Sequence, residues 1–406
     1  MSSSVPLSKP NPRDLRLDFF RGIALFLIFV AHLPGNWLAQ YRPGAFGFSD
    51  SADIFVFVSG YAAALAYGRI FSRAGFLAGT ARLAKRCAEL FACHLGLFFS
   101  VAVLLVGGNH LLNTDVNYVH LLNLGYFFDH PQEALLGLFT LTYVPNYFDI
   151  LPMYIGALAI LPLVMLLARL HRALAGALCI ALYLAVQFLG LELPAEIASD
   201  RPWFFNPFAW QLLFYTGFFL GSGWIKPPPI RRWMTLSCAA YVALSIPFSH
   251  YPTYSSTVWL DTAQSLLYPL VAKTDLGVLR YVHFLCLGYL MVALFKGREH
   301  FLHGTLASPF IKTGQQALPV FLTGMVLSIV AGMALDVWGR SIPGTVMVNT
   351  AGIASLILTG YIVQWFKSQP WRGKVGALSV LEKEPIEKEQ FDVEYLPLRK
   401  RELVYG

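Results

Sequence analysis

Long apolar runs separated by short basic segments constrain this chain more than any other feature of its sequence. A helix crosses a bilayer with roughly 20 apolar residues, and so many runs of that length cannot share one soluble core. Charged residues make up only 13% of the chain, about half the share that is usual in soluble domains. We therefore predict an all-α, polytopic integral membrane protein, and not a disordered chain, a coiled coil or a disulfide-stapled secreted fold. The predicted transmembrane helices, about ten in all, are 19–40, 52–68, 87–107, 150–168, 173–191, 207–225, 233–249, 277–295, 317–338 and 345–366.

The basic residues predict the orientation of these spans, because cytoplasmic segments of membrane proteins are enriched in Lys and Arg. If the N-terminus is cytoplasmic and the spans alternate, both termini are cytoplasmic and few basic residues face outward. We interpret the short run 134–146, which Pro145 interrupts, as a re-entrant or interfacial segment, since counting it as a span would invert the charge bias. The outward-facing basic residues are then Arg42, Arg201, Lys273, Arg280 and Arg340.

Three regions follow from this pattern: a cytoplasmic N-terminal segment (1–18), a transmembrane domain (19–366) and a charged cytoplasmic tail (367–406). The first apolar run is too long for a signal peptide, and we interpret it as the first span. The net charge of +7 reflects the positive-inside pattern rather than binding to nucleic acid. The cysteines are isolated, and no nucleotide-binding or zinc-protease motif is present, so we expect no metal and no permanently bound cofactor.

The first span carries polar residues that are expensive inside a bilayer and therefore suggest a function. Asp18, Arg21 and His32 fall on one helical face together with Leu25 and Ile28. Arg21 and His32 are eleven residues apart, about 16 Å along the axis, so His32 is predicted near the middle or the outer half of the membrane. An imidazole there can act as a general base or as a transient acyl carrier. The alternatives are a structural histidine, and an arginine that only marks topology.

Two carboxylates are predicted at the outer ends of spans. Asp53 begins the second span and Asp149 begins the fourth, so either could orient His32 if the helices meet. The alternative for both is a role as a helix cap, since a helix N-terminus favours negative charge. Ser59 and Gly60 in the second span favour close helix packing.

Arg82 and Arg86 lie one turn apart at the predicted cytoplasmic end of the third span. Together with Arg73 and Lys85 they could bind the phosphates of an anionic ligand. Lipid headgroup binding and the positive-inside bias are the alternative explanations.

Polar residues also interrupt the apolar pattern near two later spans, and we predict that they bind substrate. These residues are Asn206, Trp210 and Gln211 in one segment and Lys273, Asp275 and Arg280 in the other. Aromatic residues are frequent in the predicted outer segments. Interfacial aromatic belts explain most of them, and a sugar-stacking platform is the alternative.

Several of these segments resemble one known family. The spacing of Arg21 and His32 is similar to the arginine–histidine signature of the acyltransferase-three family of membrane O-acyltransferases, and 53–61 resembles its second-helix signature, with Tyr61 where that family usually has Phe. The segments 149–154, 206–213 and 273–280 look like those of the OpgC branch. The resemblance extends over roughly residues 13–366.

The OpgC branch adds succinyl groups to osmoregulated periplasmic glucans. The resemblance therefore implies an acyl-CoA-dependent O-acyltransferase of the bacterial inner membrane, with succinyl-CoA or acetyl-CoA as donor and a periplasmic glucan as acceptor. It implies a catalytic His32 and donor binding by Arg21, with which we group Arg16. The family's third-helix arginine motif falls on Arg82 and Arg86, where the pattern is looser, and implies binding of the CoA phosphates.

Other functions and mechanisms stay open at the level of sequence. A transporter or flippase for an anionic or sugar substrate would also place polar residues in the membrane, although it would more often show repeated halves with broken helices. Acetylation of another envelope polysaccharide is an alternative within the enzymes. Direct transfer and an acyl-histidine relay are both compatible with His32, and the oligomeric state is undetermined.

Overall fold

The computed structural model describes residues 14–196 and 199–372, and the regular structure within them consists of helices and one isolated β-bridge between Pro194 and Pro202. Most of the predicted N-terminal segment and nearly all of the predicted tail lie outside the described residues. In the first part of the chain the helices are α1 (Leu15–His32), α2 (Ser51–Arg73), α3 (Gly75–Leu111), α4 (Gly125–Asp129), α5 (Pro131–Thr140), α6 (Ile150–Leu170) and α7 (Arg172–Leu189).

The second part of the chain continues with helices of very different length. They are α8 (Pro207–Gly221), α9 (Arg232–Ser249), α10 (Tyr251–Tyr254), α11 (Val258–Val271), α12 (Val278–Phe295), α13 (Ser308–Gln315), α14 (Ala317–Trp338) and α15 (Ile342–Ser368). Short 3₁₀ helices occupy Trp37–Tyr41, Pro43–Ala45, Tyr118–Leu122, Glu299–His303 and Pro370–Arg372.

Seven of the described helices are long and apolar enough to cross a membrane, namely α2, α3, α6, α7, α12, α14 and α15. Three predicted spans fall short of that standard for different reasons. Helix α1 carries Arg16, Asp18 and Arg21 in only 18 residues, α8 has 15 residues, and α9 contains several serines and threonines among its apolar residues. The predicted fold class, an all-helical membrane protein, is thus confirmed, whereas the predicted count of about ten spans is not.

The segment predicted as re-entrant or interfacial is helical only in its first part. Helix α5 has ten residues and ends where Leu141 adopts the left-handed conformation, with φ of 58°. At about 1.5 Å per residue it is too short to cross a bilayer. Residues 141–149 then return without regular helix to the start of α6.

Helix α1 lies at the centre of the bundle and packs against α2, α13 and α14. Gly22 permits the close approach to α13, because a Cβ atom there would overlap the carbonyl group of Phe310. The loop that follows α1 is fixed by Asn36, whose side-chain amide donates to the Val30 carbonyl at 2.8 Å and to Asn349 at 3.0 Å. These contacts hold the end of α1 that bears His32.

Helices α2 and α8 pack closely against each other. A Cβ atom at Gly60 would overlap the carbonyl of Phe214, and one at Gly217 would overlap the carbonyl of Phe57. The backbones therefore approach as closely as small residues permit, as the sequence predicts for Gly60.

Beyond this contact, Ala64–Gly68 of α2 form a π-helical turn, a feature that is frequent at functional sites.

The chain separates into two compact units, Met1–Gln364 and Trp365–Gly406. In the described part of the second unit the rings of Trp365, Phe366 and Trp371 pack edge to face. The candidate site lies wholly within the first unit.

Candidate functional site

His32 is the last residue of α1, and its own helix fixes the ring. Nδ1 lies 2.7 Å from the carbonyl oxygen of Ile28. Because a carbonyl oxygen can only accept a hydrogen bond, Nδ1 carries the proton and Nε2 keeps the lone pair in the neutral imidazole. The ring is partly exposed and packs edge-on against Tyr147, with the centroids 4.8 Å apart. His32 is thus held in a tautomer that suits a general base, and Nε2 is the basic atom.

The orienting contact of His32 is this carbonyl and not a carboxylate. Asp53 is fully buried and its oxygens bind Arg280 and the backbone N–H of Asp50. Asp149 is also buried and accepts from the backbone N–H of Phe204 at 3.3 Å. The two carboxylates are therefore engaged by the surrounding scaffold, and their catalytic roles stay predictions.

The start of α2 is a capping box, in which two carboxylates each accept a hydrogen bond from a backbone N–H group. Asp50 is the N-cap residue and accepts from the backbone N–H of Ala52 at 2.8 Å, and Asp53 reaches back to the N–H of Asp50 at 2.8 Å. Such reciprocal bonds satisfy two of the free N–H groups at a helix start. The sequence analysis considered Asp53 alone and missed Asp50, although the spacing Asp-x-x-Asp was the available signal.

Two cations neutralise this pair of carboxylates. Arg280 donates from Nε to Asp53 Oδ1 at 3.1 Å, from Nη2 to Asp53 Oδ2, and from Nη1 to the Phe48 carbonyl at 2.9 Å. Lys273 Nζ donates to Asp50 Oδ2 at 2.7 Å. Burial raises the pKa of the Asp50 carboxyl, but Lys273 and Arg280 outweigh that effect and hold the pKa below its usual range. The cluster is a largely buried ion network whose most exposed member is Lys273, with 32% of its side chain accessible against 11% for Asp50.

This ion network is formed by Asp50, Asp53, Lys273 and Arg280 and lies at the start of α2, the helix that follows the end of α1 bearing His32. Sequence reasoning placed Lys273 and Arg280 in a substrate-binding group without a partner. The structure supplies their partners from a segment more than 220 residues away.

Of the other predicted substrate-binding residues, Asn206 and Trp210 bind the segment that carries Lys273, and Gln211 binds elsewhere. The side-chain amide of Asn206 donates to Asp275 at 3.2 Å, and Trp210 Nε1 donates to the Lys273 carbonyl at 2.8 Å. Gln211 is fully buried and donates to the Cys179 carbonyl at 2.7 Å. Trp210 is fully buried as well, with the Arg280 guanidinium 5.6 Å from its ring centroid. The hydrogen bonds of Asn206 and Trp210 thus fix the backbone segment that carries Lys273 and Asp275.

Phe204 is the exposed aromatic residue beside this network. Its side chain is 43% exposed, and Lys273 Nζ lies 5.8 Å from its ring centroid. The neighbouring Trp203 is buried and donates from Nε1 to the Pro194 carbonyl at 3.0 Å. Phe205 also lies beside Lys273, at 5.4 Å, but it is buried, so Phe204 presents the exposed ring. The sequence analysis did not single Phe204 out.

A cavity of about 350 Å³ opens at the other end of α1. Its basic wall is formed by Arg21, Arg82, Lys85 and Arg86, and its apolar part includes Phe55 and Phe321. The π-helical turn of α2 contributes Ala66 and Tyr67 to the lining. The structure thus brings together three of the four arginines that the sequence assigns to donor binding.

Within the cavity wall, Arg21 and Arg86 have ordered contacts. Arg21 Nη2 donates to the Val58 carbonyl at 3.0 Å, and Arg86 Nη1 donates to Glu89 at 3.1 Å. Arg16 lies outside the lining and donates to Asp14, the N-cap residue of α1, at 3.0 Å and 2.8 Å. The predicted donor role of Arg16 thus has no cavity contact to support it.

Comparison with known proteins gives one assignment. Neither the curated proteins nor the solved structures contain a significant match to this chain. The family model described as OpgC protein matches residues 13–368, which includes α1, the capping box, the ion network and the basic cavity. The chain therefore belongs to the OpgC family.

Proposed function

We propose that this chain transfers an acyl group, with succinyl as the first choice, from acyl-CoA to hydroxyl groups of a periplasmic glucan. The observation that carries the proposal is the basic cavity at one end of α1, combined with the base-competent His32 at the other end of the same helix. Membership of the OpgC family points to glucan modification by an acyltransferase. Acyl donor and acceptor would thus approach one helix from opposite sides.

On the donor side, the basic wall suits the phosphates of CoA. Arginine guanidinium groups bind phosphate through paired, charge-assisted hydrogen bonds, and Arg82, Lys85 and Arg86 supply the cations. The apolar lining of Phe55, Phe321 and their neighbours would take the pantetheine arm. Arg21 and His32 are separated by about 16 Å along α1, so the thioester reaches His32 only if the arm extends along this helix.

On the acceptor side, the ion network and Phe204 offer a polar face with one exposed ring. Sugar rings stack on aromatic faces, and the partly exposed Lys273 ammonium beside Phe204 would favour water and polar groups over lipid at this surface. A glucosyl hydroxyl bound there would lie on the same side of the bundle as His32, because His32 ends α1 and the ion network lies at the start of α2.

The reaction then needs one base and no further cofactor. Nε2 of His32 accepts the proton of a glucosyl hydroxyl, and the oxygen attacks the thioester carbonyl carbon. The carbon–sulfur bond breaks, the ester forms, and the CoA thiolate leaves and takes up the proton. In the competing relay, Nε2 attacks the thioester first and forms an acyl-histidine that the hydroxyl then cleaves.

The experiment that tests the proposal is release of free CoA by the purified protein in detergent. Succinyl-CoA or acetyl-CoA is supplied with and without β-glucan, to the wild type and to a folded His32→Ala variant. Glucan-dependent release that is lost in His32→Ala supports the proposal, and a burst of CoA without glucan supports the relay. A folded wild-type protein that releases no CoA from either donor contradicts the proposal and favours the transporter alternative.

A further inference from the structure

Tyr147 is the aromatic neighbour of the His32 ring. The ring planes meet at 63° with the centroids 4.8 Å apart, an edge-to-face arrangement that aromatic rings prefer. Nδ1 of His32 is bound to the Ile28 carbonyl, so a hydrogen bond at Nδ1 and the ring contact with Tyr147 both restrain the imidazole. These two contacts limit where Nε2 can point.

The backbone of Tyr147 is strained. Its φ is +74°, in the left-handed region that bulky side chains rarely adopt. Such strain persists only where the surroundings over-determine the conformation, and it clusters at functional sites. Here the surroundings are the turn between Pro145 and Phe148, whose N–H donates to the Pro145 carbonyl at 3.2 Å. Phe148 is buried and packs against Phe98 with the centroids 5.5 Å apart.

Tyr147 contacts His32 through its ring and not through its hydroxyl. Among the described residues its hydroxyl makes no hydrogen bond, whereas the hydroxyl of the nearby Tyr143 donates to the Asn123 carbonyl at 3.2 Å. Tyr147 is partly exposed and Tyr143 is fully buried. The strained turn thus places the Tyr147 ring against His32, and it does not place the hydroxyl in a hydrogen bond with the described residues.

We propose that Tyr147 is a positioning residue for His32: its ring, held by the strained turn, keeps Nε2 directed at the acceptor hydroxyl. The inference rests on the proposed function, because it needs His32 as the reacting imidazole. It assigns to the loop before α6 a role in catalysis that is separate from the one predicted for Asp149, whose carboxylate accepts from the Phe204 backbone.

The test compares variants that keep or remove the ring. Tyr147→Phe keeps the ring and retains the wild-type kcat. Tyr147→Ala removes it and lowers kcat by about a hundredfold, the order of loss that a small misplacement of a reacting group produces, while KM for succinyl-CoA and for glucan stays near the wild-type value. Tyr251→Ala, which removes an exposed tyrosine elsewhere, is the matched control and leaves kcat unchanged.

A Tyr147→Gly variant separates positioning from a merely structural role. Glycine adopts positive φ without strain, so Tyr147→Gly should have a higher melting temperature than Tyr147→Ala. If the ring positions His32, both variants have the same low kcat despite this difference in stability. If kcat recovers in Tyr147→Gly together with the stability, the positioning role is refuted.

The same assays distinguish failure of this inference from failure of the proposed function. Glucan-dependent CoA release that needs His32 but proceeds at the wild-type kcat in Tyr147→Ala overturns the positioning role alone. Full activity in His32→Ala, or no release by the wild type, overturns both.

Discussion

Arg280 and Asp53, both buried, are joined by two nitrogen–oxygen contacts, although 227 residues separate them in the sequence. The pair connects the start of α12 to the start of α2, and through Asp50 it also includes Lys273. A buried ion pair is costly to assemble and still more costly to break, because one charge is then left without a partner. The ion network is therefore expected to control the stability of the end of the bundle that bears His32.

Removal of Arg280 tests this expectation. We expect Arg280→Leu to lower the free energy of unfolding by about 3–5 kcal/mol, the usual effect of breaking a buried pair. Thermal unfolding in detergent measures the change, and Arg298→Leu, an exposed arginine at the end of α12, is the control. The double variant Arg280→Leu/Asp53→Leu should regain part of the loss, and a double variant as unstable as the sum of the single variants would contradict direct coupling.

The contact between α2 and α8 gives a second prediction. Gly60→Ala should destabilise the protein by about 1–3 kcal/mol, the range for overpacking of a tight interface, because the new methyl group would overlap the Phe214 carbonyl. Gly107→Ala is the matched control, since nothing lies within 4 Å of a Cβ atom at that helical position. There alanine should raise the stability slightly, by roughly 0.5–1 kcal/mol. Equal melting temperatures for the two variants would show that the helices can separate at little cost.

The class of fold and the grouping of arginines around one cavity could be predicted from local patterns. A long apolar run indicates a membrane helix without information from the rest of the chain. Helical spacing alone placed Arg21 and His32 on one helix. Arg82 and Arg86 one turn apart indicated a basic surface, and the structure shows both in the lining of the cavity with Arg21. Each of these predictions depends on residues that are close in sequence.

The outer part of the site could not be predicted in the same way, because its contacts join distant segments. Nothing near Asp53 in the sequence indicates that Arg280 neutralises it, and nothing near Trp210 indicates that its indole binds the Lys273 carbonyl. Aromatic and amide side chains read as substrate contacts proved to be buried in the scaffold. The positive φ of Tyr147 likewise has no signature in side-chain type, since tertiary packing imposes it.

Under the proposed function, the basic cavity binds the CoA phosphates, which predicts how donor affinity depends on them. We expect Arg82→Gln and Arg86→Gln each to raise KM for succinyl-CoA about tenfold, which corresponds to about 1.4 kcal/mol, a modest charge-assisted contact. With succinyl-pantetheine, a donor that lacks the nucleotide phosphates, the same variants should behave like the wild type. Initial rates of thiol release measure both values.

A matched control for these variants is Arg172→Gln, an exposed arginine at the start of α7 that does not line the cavity. It should leave KM unchanged for both donors. If Arg86→Gln weakens both donors equally, the arginine does not bind the phosphates and the cavity has another role.

The carboxyl group of Asp149 predicts how stability depends on pH. Burial raises the pKa of Asp149 to about 7 from the usual 3.8. The folded protein therefore holds a proton that the unfolded chain has already released, and the stabilisation is complete below pH 3.8 and is lost as the pH rises to about 7. The linked slope is roughly 1.4 kcal/mol per pH unit at most within this window and zero above it.

Asp149→Asn removes the titrating group and keeps an oxygen that can accept from the Phe204 N–H. We expect the variant to be more stable than the wild type at pH 8 and to lose the decline in melting temperature between pH 5 and 7. Asp261→Asn, at an exposed position in α11, is the control and should keep that decline. A decline of the same size in Asp149→Asn would assign the titration to another group, and a lower stability at pH 8 would mean that the ionised carboxylate contributes more to the fold than its burial costs.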